Sequence, residues 1–228
     1  MFKKWDDLPD FMKCDEVRAY YAVLSRKRIQ LLVKRVLDYG LAILLLMLFF
    51  IPMFIIAMAV KLDSKGPVIF RQERVTSYGK RFTIHKFRTM DDKFHDASGL
   101  TAVQDKQITV VGAFLRKTRL DELPQLYDIL TGQMSFVGTR PEVPEFVSQY
   151  TKEMNATLLL PAGITSSASI RFRNEASLYN GAEGSERSRI YVEKILPEKM
   201  KDNLGDVLRF SIVHDLKILI RTVCCFFE

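Results

Sequence analysis

The sequence predicts a mainly helical α+β fold with one helix inserted in a membrane. Three observations carry this: a single uncharged apolar run, an alternating strand pair behind it, and helix-spaced apolar stripes in the remainder. The chain has 228 residues, 48% hydrophobic and 27% charged, so its apolar content is concentrated rather than spread as in a polytopic membrane protein. One compact domain of about 100–200 residues with an attached segment accounts for the length.

Residues 1–33 form a weakly amphipathic lead-in, with Phe11, Met12, Tyr20, Tyr21 and Leu24 set among charges. Tyr39 to Val60, YGLAILLLMLFFIPMFIIAMAV, then passes 22 residues without a charge, where about 20 suffice to cross a bilayer as a helix. Pro52 lies mid-run, lacking an amide donor and crowding the preceding turn, which predicts a kink or break. Arg26, Lys27, Arg28, Lys34 and Arg35 precede the run, and Lys61, Lys65, Arg71 and Arg74 follow it. A spanning helix would put one basic flank outside, against the usual cytoplasmic bias of Lys and Arg. A re-entrant helix-break-helix over residues 34–62 keeps both flanks on one side. Ala57-Met58-Ala59 resembles a signal-cleavage site, but the run is too long and too far from the N-terminus for a signal peptide.

Residues 63–228 form the polar domain. DSKGPVIFRQERV and KRFTIHKFRTM read as a small β-hairpin around the Ser77–Lys80 turn. The two-residue period sets Phe82, Ile84, Lys86 and Arg88 on one face, so two cations extend an apolar surface; an anion site and an exposed strand end both explain that. TVVGAFLRKT offers Val110 or Val111, Phe114 and Leu115 as a helical stripe, and LPQLYDIL offers Leu123, Leu126, Tyr127 and Leu130, closed by Gly132. At the C-terminus Ile212, Leu216, Leu219, Val223 and Phe227 recur at helical spacing, with Lys217 and Arg221 on another face. That pattern suits an amphipathic helix on a membrane or against a core.

Lys and Arg number 34 against 27 Asp and Glu, a formal charge of +7, which suits nucleic acid, phospholipid or a phosphorylated metabolite as partner. Cys14, Cys224 and Cys225 make no CxxC spacing, which argues against a disulfide framework or zinc site. His85, His95 and His214 are scattered without HExxH, and neither GxGxxG nor GxxxxGK[ST] occurs. Zinc hydrolase, Rossmann and P-loop classes thereby lose their support.

RKTRLDELPQL, Arg116 to Leu126, sets Asp121 and Glu122 after three cations and before Pro124, a residue suited to a first helical turn. Carboxylates are common there because they favour the helix dipole, by about 0.3–1 kcal/mol. Their company points further: Arg116, Lys117 and Arg119 lie upstream and Arg140 downstream. Nearby cations and a helix N-terminus are both expected to lower the pKa of Asp121, leaving an ionised nucleophile or metal ligand. Phosphoryl chemistry uses such a set: an attacking carboxylate, a divalent metal, and Arg or Lys on the phosphoryl oxygens.

In order, KRVLDYG, KGPVIFRQERV, HKFRTM, LRKTRLDELPQLYDILTGQMSFVGTRP, PAGIT, RFRN and DLKILIRT resemble the monotopic phosphoglycosyl transferases, also called bacterial sugar transferases. The resemblance runs from about Lys34 to Thr222. It implies a re-entrant helix broken at Pro52, interfacial amphipathic helices, and a catalytic domain facing the cytosol at the bacterial inner membrane. It implies transfer of a sugar 1-phosphate from a UDP-sugar to polyprenyl phosphate, releasing UMP, with Mg2+ as cofactor. Asp121 would be the nucleophile and Glu122 its partner, as metal ligand, positioning group or proton acceptor. Lys86, Arg88, Arg116, Arg140 and Arg173 match the family's cationic positions and would bind the substrate phosphates. Membrane lipids are implied partners and nucleic acid is not; a homodimer is left open.

This chain departs from the family pattern at Thr139, where proline is usual, at Thr76, where glycine is usual, and along SSASIRFRN. These bear on donor selectivity more than on chemistry. YVEKILPEKMKDNL suggests the branch with a longer C-terminal insertion. The competing class is a membrane-anchored basic module without catalysis, in which Asp121 has no special role.

Overall fold

The structure, a computed structural model, describes residues 2–91, 108–179, 182 and 184–225. His95 and Phe227 lie outside the described residues. In chain order the elements are α1 Asp15–Ser25, α2 Arg28–Asp63, β1 Ile69–Val75, β2 Arg81–Phe87, α3 Val110–Thr118, α4 Gln125–Leu130, β3 Met134–Val137, α5 Pro144–Val147, β4 Ala162–Thr165, α6 Ser167–Arg171, α7 Gly184–Ile190, α8 Leu196–Leu208 and α9 Ile212–Cys224. Mainly helical α+β is therefore the observed class, and β1 and β2 form the expected antiparallel hairpin, Ile69 opposite Phe87 through Val75 opposite Arg81.

α2 differs from the expected hairpin of helices. It is one continuous helix of 36 residues that runs through Pro52 and begins at Arg28, ahead of the expected boundary at residue 34. Both of its ends are fixed to the same polar domain. Near its start Lys34 pairs with Asp215 at 2.7 Å, Ser135 donates to Asp38 at 2.7 Å, and Arg35 donates to the Gly132 carbonyl at 2.9 Å. At its end Arg88 Nη2 donates to the carbonyls of Val60 and Ser64, at 3.2 and 2.6 Å, and Asp63 accepts from the Val111 amide at 3.0 Å. Between these anchors Leu44, Met47, Leu48, Phe50, Ile51, Phe54 and Ile55 are exposed. Leu41, Leu45, Leu46, Met53, Ile56 and Ala57 instead pack on the domain.

The weakly amphipathic lead-in packs its apolar residues on protein. Met12, Val17 and Leu24 are fully buried, and α1 helps enclose a core with Val207 and Phe210 around α8. Its apolar residues face protein because a partner surface, absent from the local sequence, covers them. In α3 the inward stripe is Val111 and Leu115, while Val110 and Phe114 are exposed. α9 carries two apolar faces. Ile218 is buried and Leu219 packs inward, whereas Val213, Leu216, Ile220 and Val223 are exposed. The expected stripe thus mixes both sides of the helix.

β3 and β4 form an unanticipated second sheet, parallel, with Met134 opposite Ala162 and Val137 opposite Thr165. All four residues of β3 are buried, so no polar alternation betrays it. The strands end in a close main-chain contact: Gly138 N–H donates to the Thr165 carbonyl and Gly163 N–H to the Thr139 carbonyl, at 3.0 and 2.8 Å. A Cβ on Gly163 would lie 2.1 Å from the Gly138 nitrogen. No side chain fits between them.

Candidate active site

The geometry of the Asp-Glu pair begins at Arg119. α3 ends there with Arg119 in the left-handed conformation, φ 56°, and the chain turns at once into a short 3-10 segment, Leu120–Glu122. α4 starts only after Pro124, which provides no side-chain cap. Asp121 and Glu122 are both buried, and neither caps α4.

The two carboxylates have opposite surroundings. Glu122 Oε1 accepts from Lys86 Nζ at 3.1 Å and from Arg140 Nη2 at 2.5 Å. Asp121 Oδ1 is buried with no hydrogen-bond partner. Burial would raise the pKa of Glu122, but Arg140 and then Lys86 outweigh it and hold the carboxyl well below the usual range. For Asp121 burial comes first, the Glu122 charge adds to it, and together they overcome Lys86, Arg119 and Arg140, so its pKa is raised. This reverses the sequence expectation of a lowered Asp121. The cations named from the sequence are present, but two of them bond directly to Glu122.

The predicted cations separate into distinct places. Lys86 extends from β2 and Arg140 from the loop after β3, and they meet on Glu122. Burial pulls the Lys86 pKa down despite Glu122, while Glu122 raises that of Arg140. Arg116 lines a cavity together with Arg140, but not with Lys86, and donates from Nε to Thr89 Oγ1 at 2.9 Å. Arg173 also lines it and donates to the Cys225 carbonyl at 3.1 Å. Arg88 stands apart: 1% exposed, it closes the C-terminal end of α2 and does not line the cavity. The shared strand face placed it correctly in direction, but the α2 carbonyls occupy that position.

The cavity encloses about 790 Å3. Its lining combines the cations Arg116, Lys117, Arg119, Arg140 and Arg173 with Glu122 and with the apolar Leu45, Phe136, Ile164, Ile170 and Leu219; Asp121 and Lys86 are not part of that lining. Ser169, Phe172 and Asn174 also line it, so the segment that departs from the family pattern contributes wall, while its Ser166 caps α6 and its Ser167 bonds Asp206.

Sequence reasoning missed the support behind Arg140. Glu142 is buried and accepts a short hydrogen bond from Tyr191 Oη. Lys199 Nζ donates to Tyr191 Oη at 3.1 Å and to Glu175 at 3.0 Å, and Arg74 donates to the Pro141 carbonyl at 3.2 Å. Tyr191 and Lys199 come from the C-terminal insertion, so that insertion braces the Arg140-Pro141-Glu142 segment. The only sequence signal was its length.

Among the described residues no three His, Cys, Asp or Glu side chains gather as a metal site. The Asp121-Glu122 pair still suits Mg2+, which usually takes one or two carboxylates and completes its shell with substrate phosphate and water. The unpartnered Asp121 Oδ1 is the available oxygen.

Fold and site define a class: a helical protein with a long apolar helix and a cationic cleft lined by Glu122, whose neighbour Asp121 lies buried behind the lining. The chain belongs to the bacterial sugar transferase family, whose model matches residues 29–228. It is similar to a UDP-glucose:undecaprenyl-phosphate glucose-1-phosphate transferase of Escherichia coli (strain K12), 39% identical over 196 residues, 84% of this chain and 39% of that protein. A protein of the same description from Caulobacter vibrioides is 36% identical over 195 residues, 83% of this chain and 68% of its own. A putative undecaprenyl-phosphate N-acetylgalactosaminyl 1-phosphate transferase of Bacillus subtilis (strain 168) is 38% identical over 133 residues, 58% of this chain and 74% of its own. The chain spans about two fifths of the length of the Escherichia coli relative.

Proposed function

We propose that this protein transfers a sugar 1-phosphate from a UDP-sugar to undecaprenyl phosphate, giving undecaprenyl-diphosphate sugar and UMP at the start of glycan or glycoconjugate assembly. The observation that carries the reading is the division of labour in the dyad: Glu122 is held by Lys86 and Arg140, while Asp121 Oδ1 has no hydrogen-bond partner. A buried carboxylate oxygen without a partner keeps its lone pairs for phosphorus.

Asp121 attacks the sugar-bearing phosphorus of the donor, an acyl phosphate bond forms, and the P–O bond to UMP breaks. The acceptor phosphate oxygen then attacks the same phosphorus, breaking the acyl phosphate and restoring the carboxylate. Glu122 is a positioning group in this scheme, fixing Lys86 and Arg140 where charge develops on the phosphoryl oxygens. Its depressed pKa makes it a poor proton acceptor. Mg2+, held by Asp121 and Glu122 together with the diphosphate, would neutralise phosphate charge and help UMP leave.

The anchoring of both ends of α2 to one polar domain supports a helix that enters and leaves the bilayer on the same side, with the domain in the cytosol at the bacterial inner membrane. The exposed apolar faces of α2 and α9 support membrane lipids as partners. Asp121→Asn is expected to abolish UMP release from UDP-sugars while membrane association persists. Mass spectrometry of protein incubated with donor alone should find a phosphosugar adduct on Asp121; steady turnover without an adduct would favour direct attack by the acceptor.

A further inference from the structure

Among the described residues the cavity lining holds two carboxylates, Glu122 and Glu175, and the transfer chemistry uses only the first. Glu175 opens the 3-10 segment Glu175–Tyr179, directly after the cavity-lining Arg173 and Asn174. Both of its oxygens are held: Tyr179 Oη donates to Oε1 at 2.5 Å and Lys199 Nζ to Oε2 at 3.0 Å. Tyr179 is buried beneath Arg187, whose guanidinium lies 3.9 Å from the ring centroid. Burial, and then the bond to Glu175, push the Tyr179 pKa up, so the phenol stays a donor. The Glu175 side chain still keeps 25% of its exposure. A carboxylate has room for about four hydrogen bonds, so acceptor positions remain free toward the cavity, fixed in direction by the two bonds behind them.

A phosphate is repelled by such a group. Lys199 does not neutralise it alone, because the same ammonium lies 3.7 Å from Glu142 Oε1. What fits is a neutral group rich in O–H donors. Hydrogen bonds also connect this carboxylate to the reacting pair: Lys199 donates to Tyr191 Oη, Tyr191 donates to Glu142, and Glu142 lies two residues beyond Arg140, which holds Glu122. In a sugar nucleotide the sugar is bonded to the phosphorus under attack, whereas the ribose is one phosphate further away. We propose that Glu175, set by Tyr179 and Lys199, accepts hydrogen bonds from hydroxyl groups of the transferred sugar and selects the donor by them. The proposal rests on the transfer reaction proposed above and adds the residue that reads the sugar. A fixed acceptor rejects a sugar that lacks the matching hydroxyl, because its own polar atoms are then left unpaired.

The test compares donors within one preparation of the full chain, so incomplete folding cancels. UMP release in the presence of undecaprenyl phosphate is measured with UDP-glucose, UDP-galactose and their 2-acetamido counterparts, then with forms of the preferred donor lacking one sugar hydroxyl at a time. The unaltered protein should favour the complete sugar over one of these forms by about ten- to a hundredfold in kcat/KM, as a hydrogen bond to a charged acceptor predicts. Glu175→Ala should shrink that ratio to about twofold. Glu175→Gln, which keeps the shape and a neutral acceptor, should give an intermediate ratio and serves as the second variant if the first does not fold. A purely structural Glu175 would lower every donor together and leave the ratio unchanged, which would overturn the subsite. Indifference of the unaltered protein to every missing sugar hydroxyl would overturn it too, as would a loss of discrimination seen only with the 2′-deoxyuridine form of the donor. Absence of UMP release from every donor in the unaltered protein would instead overturn the transfer reaction.

Discussion

Replacing Glu122 by Gln keeps the shape of the side chain and removes its charge, leaving Lys86 and Arg140 without their shared counterion. Removing one partner of a buried pair costs about 3–5 kcal/mol. The side chains of Lys86 and Arg140 keep 21% and 33% of their exposure, so water takes up part of that loss, and about 2–4 kcal/mol is expected. For a chain of this size that corresponds to a melting temperature lower by about 5–15 °C. Asp121→Asn is the internal control. Its Oδ1 is buried without a partner beside a second anion, so neutralising it should cost nothing or stabilise by about 1 kcal/mol. Thermal unfolding of both variants and the parent in one detergent, across pH, reads these effects. Glu122 has a lowered folded pKa, so its contribution is present above the ordinary value of 4.5 and fades as pH falls below it. Asp121 has a raised folded pKa, so its ionisation costs stability as pH rises above 3.8, and the Asn variant gains only there. Equal stability of Glu122→Gln and parent, or a larger loss in Asp121→Asn, would refute this account of the dyad.

The acid limb of kcat/KM for UMP release should lie above the ordinary carboxylate value of 3.8, because Asp121 must lose its proton to attack and burial resists that loss. Arg88→Lys should lower the melting temperature by the loss of charge-assisted bonds to the α2 end, about 1.5–3 kcal/mol; a rise in donor KM at unchanged stability would instead make Arg88 a substrate residue. Gly163→Ala should cost about 3 kcal/mol or more, since its Cβ would meet main chain that cannot yield. Reduced soluble folding yield and lost UMP release would register it.

The hairpin, the helices α3, α4 and α9 and the turn that holds the Asp-Glu pair were legible because each is local, whereas the stripes were only partly right: Phe114, Tyr127, Leu216 and Val223 are exposed. What escaped depends on partners distant in sequence. Met134–Val137 is buried on both faces, so alternation had nothing to mark. The break expected at Pro52 follows from hydrogen-bond loss in an isolated helix, whereas α2 continues through it between anchors at Lys34 and Arg88. The sign of the Asp121 shift was missed because charge counting along the chain does not say which of two adjacent carboxylates the cations touch. Thr139 in place of the usual proline is explained by the fold: the contact with Gly163 uses its carbonyl, which either residue supplies.

The Gly138–Gly163 contact has a consequence for how such enzymes diversify. It fixes the chain just before Arg140 through main-chain atoms, while Tyr191 and Arg74 brace the residues just after it, so only the first of these supports is insulated from side-chain drift. Another part of the cavity lining, Ser169, Ile170, Phe172, Arg173 and Asn174, comes from the segment where this chain departs from the family pattern. Substitutions in that wall can reshape the cavity one residue at a time, while the main-chain contact behind it is inherited unaltered.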